Sequence, residues 1–121
     1  MINVMEASKD YKYDLAISFL AGDEALATRL ADQFEGGMKI FVYSKQQERL
    51  GGTDGEMAFS SVFQSEARLV VVLYRAGWGE TSWTRIEETA IRNRGFDEGY
   101  DFALFIPLDQ VPSVPKWLPK N

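Results

Sequence analysis

The chain contains no cysteine and no histidine. Without cysteine there is neither a disulfide nor a thiolate nucleophile, which fits a cytoplasmic address. Without histidine there is no Ser-His-Asp or Cys-His nucleophilic site. A metal site is not expected either, because carboxylates alone suit hard ions rather than zinc. Long apolar runs are also missing: nothing approaches the roughly 20 residues that span a bilayer. The opening MINVMEASKD lacks the basic-then-apolar layout of a secretory signal. Lysine and arginine do not cluster and the net charge is −5, which argues against nucleic acid or an anionic membrane as partner. Any chemistry must rest on carboxylates, Lys, Arg, Tyr, Ser, Thr or backbone groups.

What is present amounts to one domain. The 121 residues are 45% apolar and 26% charged, enough to bury a single core. Tyr13–Phe19 alternates, with Leu15, Ile17 and Phe19 on one side and the small Ala16 and Ser18 on the other. Asp23–Phe34 repeats Leu26, Ala27, Leu30, Ala31 and Phe34 at helical spacing, and Gly36-Gly37 stops it. Met38–Tyr43 reads as a second strand, followed by a long polar loop, Ser44–Gly55. Thr53-Asp54-Gly55-Glu56 fits a capping box opening a helix with Phe59, Val62 and Phe63 as its buried stripe. Arg68–Tyr74 has the continuous aliphatic character of a central parallel strand. A helix follows from about Ser82 to Asn93, then a fourth strand, Ala103–Leu108, whose Pro107 suits a strand end. This alternation predicts an α/β domain with an open parallel sheet, its core about 11–110. Residues 111–121 read as a tail or linker leading out of the sheet, so the chain is expected to be one part of a longer protein.

In such a sheet, ligands bind outside the carboxyl ends of the strands, where the strand order reverses. Phe19-Leu20-Ala21, Tyr43–Gly55 and Tyr74–Trp83 must meet there. The second of these exceeds the roughly 2–6 residues typical of such connections, and extra length there is often functional. On the helix opening at Ser82, about 100° per residue puts Trp83, Ile86, Ala90 and Ile91 on one face, with Glu87 among them. Glu88 points further round, towards Arg85 and Arg92, on a solvated and charge-paired face. A carboxylate on the apolar side has a raised pKa, a bound partner or a place at a pocket lip. A capping box over Thr84–Glu87 would instead make Glu87 a helix-start residue, and Ser82 is an equally good N-cap. The pattern leaves both readings open.

Taken together, YDLAISF, KIFVY with its long loop, and RLVVVLY followed by TSWTRIE resemble a Toll/interleukin receptor (TIR) domain over about Tyr11 to Leu108. Thr81 or Ser82, Trp83 and Glu87 stand where that family has a Ser-x-Trp-x-x-x-Glu signature. The chain departs from the receptor-type pattern at Phe19, at Tyr43, in the proline-free loop ERLGGTDG and at Thr84, which points to a divergent, bacterial-style member. The resemblance implies a flavodoxin-like sheet of four to five strands with helices on both faces. It also implies cleavage of the nicotinamide–ribose bond of NAD+, which is substrate rather than cofactor. Glu87 would then be catalytic and Trp83 an aromatic wall, with Phe19, Leu20 and Ala21 in the nucleotide cleft and Tyr43, Ser44 and Lys45 at the loop root. Self-association through TIR–TIR contacts, an additional sensor domain and an anti-phage immune role belong to the same expectation. Two alternatives stand beside it: a non-enzymatic TIR interaction module, and a nucleoside deoxyribosyltransferase-like enzyme. A phospho-receiver domain is excluded, because Phe19-Leu20 and Tyr74 occupy the positions its aspartates need.

Overall fold

Alternation along the first strand gives its two faces to two different layers, and the rest of the chain folds around that division. The computed structural model describes residues 10–34, 36–43, 52–109 and 114–119, with 52–56 as backbone alone. Strand β1 (Tyr13–Ser18) leads through a 3-10 turn (Ala21–Asp23) into α1 (Glu24–Gln33), then β2 (Ile40–Val42) and α2 (Gly52–Ser61). A π-helical turn (Val62–Glu66) continues α2 into β3 (Ala67–Tyr74), followed by α3 (Ser82–Glu98) and β4 (Ala103–Pro107). The strands form one parallel sheet in the order β2-β1-β3-β4, an α/β arrangement of the flavodoxin-like kind.

On one face Leu15, Ile17, Phe19, Val42, Val71 and Leu73 pack with Ala27 and Ala31 of α1. On the other, Ala16, Phe41, Val70 and Val72 meet Phe59, Val62 and Phe63, together with Ala90 and Ile91 of α3. Small Ala16 leaves room beside β1 for large rings. Phe41, Phe59 and Phe63 fill it, with ring centroids 5.8, 6.0 and 5.4 Å apart. Each such pair contributes about 0.5–1.5 kcal/mol beyond its buried area.

Several boundaries differ from the sequence expectation. Phe34 caps α1 and is exposed rather than part of its buried stripe. The second strand is limited to Ile40–Val42, where it pairs with β1, so Tyr43 lies past its end. Helix α2 is already formed at Gly52, before the expected Thr53 cap. Most of the long polar loop, with Ser44 and Lys45, lies outside the described residues. Helix α3 runs on past Asn93 to Glu98 because Arg94 is a buried residue rather than a helix-ending one. Its guanidinium donates to the carbonyls of Ala67 (2.8 Å) and Arg68 (3.3 Å). It also pairs with Glu98 and lies 4.0 Å over the Phe102 ring. A buried cation survives only with its donors satisfied in this way.

Trp117 returns to the core, its ring 5.9 Å from Phe105 and 5.8 Å from Tyr100, with Arg92 5.0 Å above it.

Gly95 sits inside α3, where alanine would ordinarily favour the helix by roughly 1 kcal/mol. Here a Cβ would collide with the Tyr100 ring, itself stacked on Phe102 at 6.2 Å. Gly95→Ala is therefore expected to destabilise the fold by about 1–3 kcal/mol in denaturant unfolding. A variant as stable as the parent, or more so, would contradict this packing.

Candidate functional site

The strand order reverses between β1 and β3, since β1 lies beside both β2 and β3. The crevice outside their carboxyl ends is where this fold places ligands. Ser18 is the last residue of β1 and neighbours Val72 of β3. It shares the Ala16 face, so its hydroxyl points into the layer that contains α3.

Three features bring α3 to that crevice. Thr81 is its N-cap, and Thr81 and Thr84 form a reciprocal capping box, each side chain bonding the other's backbone N–H at 3.2 Å. Thr84 Oγ1 also accepts from the Gly79 N–H at 2.9 Å, tying the preceding loop to the first turn. Neither cap read from the sequence is used: Ser82 is the first helical residue, and Glu87 lies in the second turn, clear of any cap. Third, Gly77 (φ 99°) and Gly79 (φ 91°) adopt left-handed backbone on either side of Trp78. Only glycine does so cheaply, and the resulting turn folds the indole inward against Tyr74 and Phe105.

The result is a buried polar chain. Trp78 Nε1 donates to Ser18 Oγ at 2.7 Å, and Ser18 Oγ donates to Glu87 Oε1. Trp78, Ser18 and Glu87 are 5%, 0% and 3% exposed, so water plays little part in solvating the carboxylate. No fully buried side-chain oxygen among the described residues lacks a partner. Oε2, which Ser18 does not engage, therefore keeps some exposure. Burial pushes the Glu87 carboxyl well above its ordinary value of 4.5, and the Ser18 hydrogen bond only partly opposes this.

An aromatic wall stands beside it. Trp83, one turn before Glu87, has its ring 4.9 Å from Tyr43 and 4.8 Å from Phe59. Burial, and then the charge of Glu87, raise the Tyr43 phenol above its ordinary value. Leu20 and Ala21 stand at the same strand edge, held by a clamp in which Arg75 grips Asp23 through two bonds of 2.9 Å. The Arg75 guanidinium reaches Asp109 as well, at 3.5 Å, so the exits of β1, β3 and β4 are tied together.

The structure thus gathers Glu87, Trp83 and Tyr43 with Leu20 and Ala21 near by. Phe19 faces the opposite layer, in the core with α1. Ser44 and Lys45 lie outside the described residues. Glu88 is not on a charge-paired face. It is half-buried and accepts the Trp117 indole N–H at 2.7 Å, and among the described residues it forms no ion pair with Arg85 or Arg92. Sequence reasoning missed Trp78 as a partner of the site. The available signal was an aromatic held between two glycines just after a buried strand.

A hollow of about 430 Å³ at the other end of the sheet, lined by Tyr11, Arg68, Arg94 and Phe102, is a different kind of place. The donors of Arg94 there are already committed to carbonyls and Glu98, so it serves the fold.

Comparison with known proteins adds a likeness at a coarse level. Over 112 residues the chain is 26% identical to the 3' cyclic ADP-D-ribose synthase AaTIR of Aquimarina amphilecti, a match covering 90% of this chain. It spans 34% of that protein's length. No family model and no solved structure matches the chain. The likeness supports a TIR-like chain, and the fold is of the kind the resemblance implies. No helix among the described residues is long and apolar enough to cross a membrane.

The raised carboxyl has a consequence for stability. Between 4.5 and its higher folded value, the folded state holds a proton that the unfolded chain has released. This contribution is fully present below the unfolded value and is lost as pH rises through the folded one. Glu87→Gln removes the dependence. The variant is expected to melt higher than the parent near pH 7, with the gap closing towards about pH 4. A gap that is constant with pH, or absent at neutrality, would show that Glu87 is not held out of water.

Proposed function

We propose that this chain cleaves the nicotinamide–ribose bond of NAD+, with Glu87 as the catalytic carboxylate. The observation that carries the reading is the water-excluded Glu87 at the sheet's switch point, one oxygen engaged by Ser18, with Trp83 one turn before it on α3. The 3' cyclic ADP-D-ribose synthase named above adds support, since the product in its name contains the ADP-ribose part of NAD+.

The chemistry needs little more than this inventory. The bond from the ribose anomeric carbon to the pyridinium nitrogen breaks, and its electron pair leaves with nicotinamide, which departs neutral. No general acid is required. Positive charge develops on the ribose through an oxocarbenium-like transition state, as in glycoside hydrolysis. A carboxylate in a dry site stabilises that charge far better than one in water. Glu87 Oε2 also has the acceptor capacity to hold a ribose hydroxyl. Trp83 and Tyr43 offer faces to a flat cationic ring, while Leu20, Ala21, Ser44 and Lys45 border the nucleotide. Water, or a hydroxyl of the substrate itself, then captures the anomeric carbon and gives up its proton to the Glu87 carboxylate or to solvent.

The same reading includes self-association of the chain during turnover, a cytoplasmic setting and an effector role in anti-phage immunity. A contact module without turnover would have no use for a water-excluded carboxylate that costs stability at neutral pH.

The test is nicotinamide release from NAD+ by the purified protein over a range of protein concentrations. Glu87→Ala should lose about a hundredfold or more in rate. Glu88→Ala should keep turnover while losing about 1–2 kcal/mol of stability with its bond to Trp117. An inactive Glu88→Ala beside an active Glu87→Ala would reverse the assignment. Assembly without nicotinamide release at any concentration would favour the contact module.

A further inference from the structure

We infer that Trp78 and Ser18 are positioning residues for Glu87, forming a one-way donor chain that holds Oε1 as an acceptor and confines any bound proton to Oε2. As a statement about catalysis this rests on the NAD+ reading; as a statement about where the Glu87 proton resides it stands on geometry alone.

The direction follows from the donor inventory. An indole Nε1–H can only donate, whereas a hydroxyl has one proton and two lone pairs. Trp78 Nε1, 2.7 Å from Ser18 Oγ, therefore fixes one end of the chain. Ser18 is completely buried, and its hydroxyl has Trp78 and Glu87 as its partners among the described residues. Were Glu87 to donate from Oε1, the Ser18 proton would be left buried without an acceptor, at a cost of about 1–3 kcal/mol. So Ser18 donates to Oε1 whether Glu87 is ionised or not, and the titrating proton belongs to Oε2, the oxygen with residual exposure.

The other groups around Glu87 leave this chain in control. From the end of β2 comes the Tyr43 phenol, which stays neutral until well above neutrality. Helix α2 presents Phe59, and α3 itself presents Trp83. Among the described residues no lysine or arginine is paired with Glu87. Among the described residues the Ser18 hydrogen bond is then the polar contact that favours the ionised form. With Oε1 held by Ser18, Oε2 is the oxygen left to meet a ligand.

Carboxyl-carbon NMR titration tests this directly, with the Glu87 signal assigned from its loss in Glu87→Gln. Trp78→Phe keeps an aromatic ring but removes the N–H; Ser18→Ala removes the hydroxyl. Both should move the Glu87 midpoint upward, Ser18→Ala further, and Trp78→Phe carries the test if Ser18→Ala does not fold. In nicotinamide release, kcat should fall by about ten- to a hundredfold. KM should change by less than about twofold, and the rising limb of the pH profile should move with the midpoint. A Glu87 midpoint unmoved or lowered in Trp78→Phe overturns the donor chain. Midpoints that rise in a protein that never releases nicotinamide from NAD+ would retain the chain and reject the proposed function.

Discussion

Everything about the crevice depends on one hydrogen bond across the molecule, from the last residue of β1 to the second turn of α3. Ser18 and Glu87 are 69 positions apart, and they meet only because Ala16 and Ser18 are small. A larger residue at either position would push α3 away from the sheet and let water reach the carboxylate. The same narrow face admits the ring cluster of Phe41, Phe59 and Phe63, which packs α2 and α3 against β1 and β3. Core packing and the dry environment of Glu87 are two results of a single choice of side-chain size.

That arrangement sets stability and chemistry against each other. Burial makes the ionised Glu87 unfavourable, so the fold is weakest in the pH range where the carboxylate carries its charge. The proposed reaction needs that charge, because positive charge grows on the ribose. The proposed catalytic role would account for a carboxylate buried at such a cost. Helix α3 handles its other buried ion differently. Arg94, two turns after Glu87 on the same face, is saturated by carbonyls and by Glu98, and so serves the structure. Among the described residues Glu87 has one hydrogen-bond partner, Ser18. The contrast between these two residues of one helix is what the proposed role of Glu87 rests on.

Much of this was legible in the sequence, and the limits have physical causes. Period-two alternation put Leu15 and Ile17 opposite Ala16 and Ser18, and helical period put Glu87 rather than Glu88 on the apolar side. Both are local patterns, fixed by backbone geometry. The Trp78–Ser18–Glu87 chain is a tertiary event between a loop, a strand end and a helix, and no local period encodes it. Arg94 is not legible from local pattern, because an arginine reads as solvent-facing until its carbonyl partners are known. Spacing alone gives Glu88 to Arg85 and Arg92; Trp117, 29 positions away, claims it instead.

The most direct measurement compares two midpoints in one protein: that of the Glu87 carboxyl titration, and that of the pH dependence of nicotinamide release from NAD+. With Glu87 as the catalytic carboxylate, the rate should rise as its proton leaves, so the two midpoints coincide above the ordinary glutamate value of 4.5. A rate that stays flat while Glu87 titrates would contradict the account.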